Sequence, residues 1–461
     1  MKRSTAFLAL IATGCMSMEP RYAPPAPAIP PSWPAGDPYL RQAEAALPTV
    51  TYQQIFRDAR LQALIGQALA NNRDLQVAAA NIVAARAQYR IQRAAQLPEV
   101  DANASATVTG DQDQYAVGIS VPAFELDLFG RVRSLTHVQL NRYFATEAAA
   151  RATRLALVAD VADAWLNHAA DSSLRLIAEQ TAQSAEKSVR LTRLRLQGGI
   201  APRTDLRQAE QILTQAQADL AQLRTAVAQD INALQLLVGA PIDPQLLAGS
   251  IDDGAKTIAE LPAGVDSYVL LRRPDVVEAE YQLRAANAQI GAARAALFPR
   301  ISLTGLLGLA SSALGKLFTG GAFGWSGSGD AAYTIFDAGA GRANVRLSEA
   351  QRNAALSTYQ KAIQTAFREV ADALARRGTI NDELAARERQ QAAAADNYQL
   401  TEARYRAGVD PFLAALDAQR SYYSAQRSLV LAKLTAAQNL VALYRTLGGD
   451  SLLQATPVRS R

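Results

Sequence analysis

The chain has 461 residues, of which 49% are hydrophobic and 19% charged, and its net charge at pH 7 is +5. This balance excludes an intrinsically disordered chain. The basic residues form no Lys/Arg block, so the charge gives no support to nucleic-acid binding. The length allows two or three ordinary domains, and an elongated, internally duplicated chain fits it better.

The N-terminus has the pattern of an export signal. Lys2 and Arg3 precede a short apolar run, residues 6–12, which is too short for a transmembrane helix, and Gly14-Cys15 follows. A small residue before a cysteine resembles a bacterial lipoprotein signal, with 1–14 as the signal peptide and Cys15 as the lipidated residue. The alternative is an ordinary exported protein cleaved nearby. Residues 15–50 are proline-rich and predict an extended tether.

Helical spacing of apolar residues then changes to strand spacing. Tyr52 to Gln96 keeps the helical period, with an interruption at Asn71-Asn72, and Asp74 is a candidate N-cap of the second helix. Pro98 ends the helical pattern. Residues 100–109 and 115–121 alternate between apolar or small and polar side chains, so they predict two strands joined by a turn at 111–113.

The longest element is predicted at Arg131 to Gln197, which contains neither proline nor glycine. A helix of this span is about 100 Å long. The turn at 198–202 reverses the chain into a second helix that ends at Val238. A stripe of small and apolar residues with coiled-coil spacing runs along that helix, and ordinary bundle packing is the alternative interpretation: Leu206, Ala209, Leu213, Ala216, Leu220, Leu223 and Val227.

The second half repeats this order. Asp275 follows Asp74, and Pro299 follows Pro98, by the same offset of 201 residues. Strands are predicted at 301–309 and around Ala331, Tyr333 and Ile335. A second helical hairpin follows, with arms at 342–406 and 412–447 and a turn at 407–411. Each half therefore reads helix, strand, strand, long helix, helix, as expected of an internal duplication.

The strands have the length of membrane β-strands. The chain has no run of eighteen apolar residues, whereas each of its four predicted strands is about ten residues long. Aromatic residues flank them, which suits membrane interfaces, although scattered core aromatics are an equal alternative. Because four strands cannot close a barrel, the chain must oligomerise, and a trimer with twelve strands is the natural cyclic solution.

Several motifs resemble the TolC-like outer membrane factors, in the lipoprotein branch that serves efflux. They lie between about residues 50 and 450 and are LQALIGQALANNRDL (61–75), ELDLFGRVR (125–133), RRPD (272–275), FP (298–299), IFDAG (335–339) and YRAGVDPFLAALDAQR (405–420). The resemblance implies a homotrimer whose twelve-stranded β-barrel in the outer membrane continues into a twelve-helix periplasmic α-barrel. It also implies two partners, a periplasmic adaptor (membrane fusion) protein and an inner-membrane pump.

The resemblance assigns each segment a place. Residues 99–130 and 299–338 form the membrane strands, while 51–98 and 131–298 form periplasmic helices, the linker and the first helix of the second repeat. Residues 339–447 form the second helical hairpin, and 448–461 form a C-terminal tail. The expected localisation is the bacterial outer membrane, with a lipid anchor and an extension into the periplasm.

The two helix turns are expected to contact the adaptor. Gly199 and Gly408 occupy positions that favour φ > 0. Pro202 and Pro411 fit the first helical position, and Asp410 fits an N-cap. The residues expected at these contacts are Gly199, Ile200, Ala201, Gly408, Val409 and Asp410.

A candidate gate follows the second turn. Leu413, Asp417 and Arg420 lie at i, i+4 and i+7, on one helix face. The resemblance places this face at the closed periplasmic aperture, where three copies would bring an acidic ring and three leucines to the axis. Spacing alone favours the simpler interpretation, an ion pair on a helix surface.

The sequence shows no catalytic constellation. His137 and His168, the two histidines, lie in the long helix without a cluster of other ligands, so neither a metal nor a cofactor is expected. The resemblance therefore implies a non-enzymatic exit duct for small molecules such as drugs or toxic compounds. Two alternatives remain open, the outer-membrane component of a protein secretion system and a trimeric coiled-coil structural lipoprotein without a pore.

Overall fold

The computed structural model describes residues 17–26, 30, 51–110, 113–255, 258 and 267–449. Cys15, most of the predicted tether and the tail from residue 450 lie outside these ranges. Contacts divide the chain into two units. The first comprises Met1–Pro27, Ala78–Ala149 and Asp275–Ala362, and the second comprises Ala28–Val77, Ala150–Pro274 and Ile363–Arg461.

Helices account for most of the described residues. The described α-helices are α1 (Tyr52–Ile55), α2 (Ala59–Asn71), α3 (Arg73–Ala94), α4 (Arg131–Gln197), α5 (Arg203–Val238), α6 (Ile251–Ala255), α7 (Pro274–Ala295), α8 (Ala340–Arg406) and α9 (Phe412–Thr446). Short 3-10 turns occupy Pro244–Leu246, Ser267–Arg272 and Leu314–Lys316. None of the helices in the described ranges is both long enough and apolar enough to cross a membrane.

The first unit contains an antiparallel sheet of four strands in the order β1 (Asp101–Val108), β2 (Asp113–Glu125), β3 (Arg300–Ser311) and β4 (Phe323–Ala332). The register pairs Ala104 with Val117, and Gly118 with Gly308. Both glycines are needed, because a Cβ on either one would lie within 2.7 Å of the opposite backbone. A register shift between Val121 and Phe124 marks a bulge.

The second unit is organised around a buried indole. Trp165 in α4 has no exposed surface and donates a hydrogen bond from Nε1 to the carbonyl of Leu246 at 2.9 Å. Gly254 passes close to this ring, where a Cβ would lie 2.9 Å from it. The fully buried side chains in the same unit include Phe56, Leu61, Leu64, Ile65, Leu166, Leu234, Ile251, Leu270 and Tyr444.

The predicted class, mainly helical with a small set of antiparallel strands, is confirmed, and the bounds of the long helices agree with the prediction to within two residues. Helix α4 begins and ends at the predicted residues, and α8 has the same length of 67 residues. Glycines with positive φ and prolines lie at the hairpin turns, and these residues set the ends of the long helices.

Two local predictions are wrong. The last strand is β4, Phe323–Ala332, so Tyr333 and Ile335 follow the strand and are exposed. The N-cap of α3 is Asn72, whose Oδ1 accepts a hydrogen bond from the backbone N–H of Leu75 at 3.1 Å. Asp74 instead lies in the first turn of α3, where a negative charge is also favourable.

Candidate functional site

The first hairpin turn, between α4 and α5, is closed by a Schellman motif. Gly199 adopts φ +72°, and its N–H donates to the carbonyl of Leu196 at 3.1 Å. The N–H of Ile200 donates to the carbonyl of Arg195 at 2.8 Å. These two bonds satisfy carbonyls that the helix end leaves free. The Ile200 side chain is 78% exposed, which is unusual for isoleucine.

The second turn, between α8 and α9, repeats the motif. Gly408 has φ +75° and donates to the carbonyl of Tyr405 at 3.0 Å, and Val409 donates to the carbonyl of Arg404 at 2.9 Å. Val409 takes the place of Ile200 and is 62% exposed. Residues 198–202 and 407–411, called here the two tips, therefore present one exposed branched apolar side chain each.

Asp410 does not cap α9, contrary to the prediction. The helix begins at Phe412, its N-cap residue is Pro411, and no side chain caps it. Asp410 instead accepts two hydrogen bonds from the guanidinium of Arg404, at 2.6 and 2.8 Å. These bonds hold the pKa of Asp410 below its ordinary value. Pro202 is likewise the N-cap of α5 rather than its first helical residue.

The two hairpins pack together next to the tips. The guanidinium of Arg195 lies 4.5 Å from the ring centroid of Tyr405, which in turn lies 4.9 Å from the ring of Phe412. The buried cluster around these rings comprises Ala185, Val189, Leu206, Ala209, Ile212, Ala415 and Leu416. This packing fixes both tips and the start of α9 within the second unit.

Leu413, Asp417 and Arg420 share an exposed face of α9, as predicted. Their side chains point away from the cluster, and Leu413 remains 50% exposed. Arg420 Nη1 lies 3.6 Å from Asp417 Oδ1, with both side chains more than half exposed. Within one chain this contact is an i,i+3 ion pair on the surface, and it contributes little stability. Its functional role remains a prediction.

Sequence reasoning missed a set of polar contacts between the arms of the two hairpins. Asp219 Oδ2 accepts a hydrogen bond from Tyr423 Oη at 2.7 Å and lies 3.4 Å from the guanidinium of Arg427. Ser184 contacts the hydroxyl of Tyr398 at 3.2 Å. These contacts join α9 to α5 and α4 to α8. Their partners are more than 200 residues apart, so no local pattern could reveal them.

The two histidines have different surroundings. His137 is half exposed and lies 2.8 Å from the Glu19 carboxylate. His168 is buried, and burial lowers its pKa. Across the described ranges, no group of three or more His, Cys, Asp or Glu side chains could hold a metal ion.

The described hairpins and sheet agree with comparisons to known proteins. The family profile "Outer membrane efflux protein" matches residues 64–240 and 267–449. The chain belongs to the outer membrane efflux protein family. This finding confirms the predicted family, efflux function and outer-membrane localisation.

Individual relatives cover nearly the whole chain. The toluene efflux pump outer membrane protein TtgC of Pseudomonas putida is 43% identical over 460 residues, which span 97% of this chain and 95% of the relative. The outer membrane protein OprJ of Pseudomonas aeruginosa is 41% identical over 459 residues, 96% and 95% of the two chains. The open-state MtrE outer membrane channel of Neisseria gonorrhoeae has a TM-score of 0.86 at 36% identity, covering 94% of this chain and 98% of that one.

Proposed function

We propose that this family member is the passive exit duct of a tripartite efflux pump, assembled as a homotrimer. The observation that carries the proposal is the open sheet in the first unit. Among the described strands, β1 and β4 each pair on one side only, so two edges of hydrogen-bonding groups remain free. Lipid cannot satisfy such edges, and a strand from a neighbouring copy can.

Strand number favours three copies. Two copies would give eight strands, which enclose almost no lumen, whereas three give twelve. Each chain also supplies four long hairpin arms, α4, α5, α8 and α9, so a trimer has twelve for a periplasmic α-barrel. Cyclic closure places β1 of one copy beside β4 of the next.

The tips are proposed to meet the periplasmic adaptor. Ile200 and Val409 are exposed apolar side chains on rigid, hydrogen-bonded turns, a combination suited to a protein contact. The inner-membrane pump supplies the energy, since the sequence carries no nucleotide-binding motif. The cargo class is small molecules such as drugs or toxic compounds. Cys15 is proposed to carry the lipid anchor.

Leu413, Asp417 and Arg420 are proposed to form the periplasmic gate. Their face of α9 is left free by the packing within one chain, although Phe412 and Leu416 beside it are buried. Three copies would then place three carboxylates, three guanidinium groups and three leucines around the axis. Ion pairs close to an axis hold arms together more strongly than isolated surface pairs, because the site is narrower and less hydrated.

Intersubunit crosslinking tests the assembly. Ser105→Cys in β1 is combined with a series of single cysteines at 326–330 in β4, and a covalent trimer is expected for at least one pair. The single-cysteine variants are the controls. Crosslinks within monomers alone, or no crosslink along the whole series, would contradict the trimer.

Two further measurements separate the alternative functions. Single-channel recording in a planar bilayer should show conductance, and its absence would favour the structural lipoprotein without a pore. A deletion strain should become susceptible to drugs or solvents while its secreted proteins are unchanged. The reverse phenotype would favour protein secretion.

A further inference from the structure

A cavity of about 470 Å³ lies between the two hairpins, within the second unit, and is called here the hairpin cavity. Its walls are formed by residues 180–191 of α4 and 395–406 of α8, and residues 412–422 of α9 form its floor. The volume falls in the range of pockets that hold small organic molecules, about 300 to 1,000 Å³. The lining residues indicate which molecules would fit.

Part of the lining is aromatic. The rings of Tyr398 in α8 and Tyr422 in α9 lie nearly parallel, with an interplanar angle of 17° and centroids 5.9 Å apart. Tyr405 and Phe412 pack against each other at the end nearer the tips, with 4.9 Å between their ring centroids. A flat aromatic ligand can stack on such ring faces.

A buried amide contributes to the floor of the cavity. Gln419 is 5% exposed, and its side chain makes one hydrogen bond with other described residues, from Nε2 to Ser184 Oγ at 3.5 Å. That distance is long for a hydrogen bond. Because a side-chain amide offers two N–H donors and one carbonyl acceptor, Gln419 keeps unused hydrogen-bonding capacity next to the cavity. Buried polar groups normally have partners, and a bound ligand would supply one.

The charge of the lining is positive. Lys187 in α4 lies one helical turn after Ser184, on the same face, and makes no ion pair with another described residue. Glu402 and Arg406 in α8 pair with each other at 2.6 Å, so their charges cancel. The ammonium group of Lys187 is therefore the uncompensated charge among the lining residues, and it attracts an anion.

We propose that the hairpin cavity binds a planar aromatic acid. Its ring stacks on Tyr398 and Tyr422, and its acid group accepts hydrogen bonds from Lys187 Nζ and the Gln419 amide. One acid group can meet both donors, because Ser184 adjoins Gln419 and the flexible stem of Lys187 reaches back along one turn of α4.

A small acid suits the cavity better than an apolar helix of another protein does. An apolar helix face would remove water from the Gln419 amide and the Lys187 ammonium group without replacing its hydrogen bonds. A carboxylate replaces them with charge-assisted ones. The occupant is therefore a small molecule with a flat ring and an acid group.

The bound acid would contact both hairpins at once, directly behind the candidate gate. Leu413, Asp417 and Arg420 each follow a residue that lines the cavity, namely Phe412, Leu416 and Gln419. A ligand that contacts α4, α8 and α9 together stabilises their packed arrangement over one in which α9 moves away. The acid is therefore expected to oppose opening. This consequence rests on the gate of the proposed function, whereas binding to the cavity does not.

Calorimetric titration of the purified full chain in detergent tests the site, with 2-naphthoate as the probe and uncharged 2-naphthamide for comparison. Lys187→Gln should weaken binding of the acid at least about tenfold and leave binding of the amide unchanged, because the variant removes the charge and keeps the aromatic surface. Gln419→Leu, which is similar in size, should weaken binding of the acid about fivefold. The matched control is Lys361→Gln, which removes an exposed lysine of α8 outside the cavity and should change neither affinity.

Two results would overturn the site. One is the absence of saturable binding of 2-naphthoate to the parent up to about 1 mM. The other is an equal affinity of the parent, Lys187→Gln and Gln419→Leu for the acid, which would place the bound probe elsewhere on the protein or in the detergent.

Single-channel recording tests the consequence for the gate. Addition of 2-naphthoate should lower the open probability of the parent and leave that of Lys187→Gln unchanged at the same concentration. An unchanged open probability in a parent that binds the acid would overturn the coupling to the gate. A parent that conducts no current would contradict the proposed duct, while calorimetry would still report on the cavity.

Discussion

The guanidinium of Arg273 donates a hydrogen bond from Nη2 to Oε2 of Glu369 at 2.9 Å, although the arginine side chain is only 9% exposed. Its Nη1 donates to the carbonyl of Thr446 at 3.0 Å. Thr446 is the last residue of α9, so its carbonyl has no partner within the helix. One buried cation thus joins α8 to the end of α9 and accounts for the second arginine of the RRPD motif.

Arg273→Met should destabilise the protein by about 2 kcal/mol, because it removes two charge-assisted hydrogen bonds from a buried place. Glu369→Gln should cost less, since an amide oxygen can still accept. The measurement is the urea midpoint in detergent. Arg272→Ala is the control, because the neighbouring arginine is exposed and should change stability by less than about 0.5 kcal/mol. Equal effects at the two arginines would contradict this role.

The double variant Asp417→Ala/Arg420→Ala should increase single-channel conductance and open probability without a measurable loss of stability. The reason is that an exposed i,i+3 pair contributes only a few tenths of a kcal/mol within a chain. At the proposed axis, the same two side chains would pair between neighbouring copies and hold three arms closed. The control is Arg368→Ala/Asp372→Ala, which removes another exposed helical pair, at 3.8 Å. Conductance equal to that of the parent would exclude the gate.

Ile200→Asp and Val409→Asp should abolish drug resistance in a complemented deletion strain while leaving channel conductance intact. A charge at either exposed position is tolerated in the isolated duct, because both side chains are largely in water. The same charge at an apolar contact with the adaptor would be desolvated without a partner. Ile200→Leu and Val409→Leu are the matched controls and should keep resistance. Full resistance in both aspartate variants would rule out contact through the tips.

The long helices could be predicted from sequence because their limits are local. Gly199 and Gly408 need positive φ, and a proline follows each turn, so two residue types define the end of one helix and the start of the next. Strand β4 was misplaced for the opposite reason. Its ten residues include three glycines and two serines, which carry no alternating apolar pattern, and its position is set by pairing with β3.

The candidate sites also include some features that follow from local sequence and others that depend on contacts between distant residues. The shared exposed face of Leu413, Asp417 and Arg420 was predictable, since spacing on a helix determines which side chains share a face. Asp410 was assigned to a cap because its type and position allow one, but Arg404, six residues away, competes for the carboxylate. The packing of residues 17–22 against α7 could not be foreseen at all. It brings Glu19 against Gly291, and a contact between residues so distant in sequence leaves no local signal.

Asp163 in α4 should make stability fall as pH rises. Burial, with a smaller contribution from the negative charge of Asp160, raises the pKa of Asp163 from 3.8 to about 7, against the attraction of Arg445. Its Oδ1 is buried and has no hydrogen-bond partner. Between about pH 4 and pH 7 the folded protein therefore keeps a proton that the unfolded chain releases, and each unit of pKa difference corresponds to about 1.4 kcal/mol.

Asp163→Asn should remove this dependence, because the amide carries no charge at any pH. We expect the variant to have a higher thermal midpoint than the parent at pH 8 and to differ little from it at pH 4. Asp372→Asn is the control, since that carboxylate is 68% exposed and should shift neither value. Parallel curves of midpoint against pH for the parent and Asp163→Asn would show that the Asp163 carboxyl keeps its ordinary pKa in the folded protein.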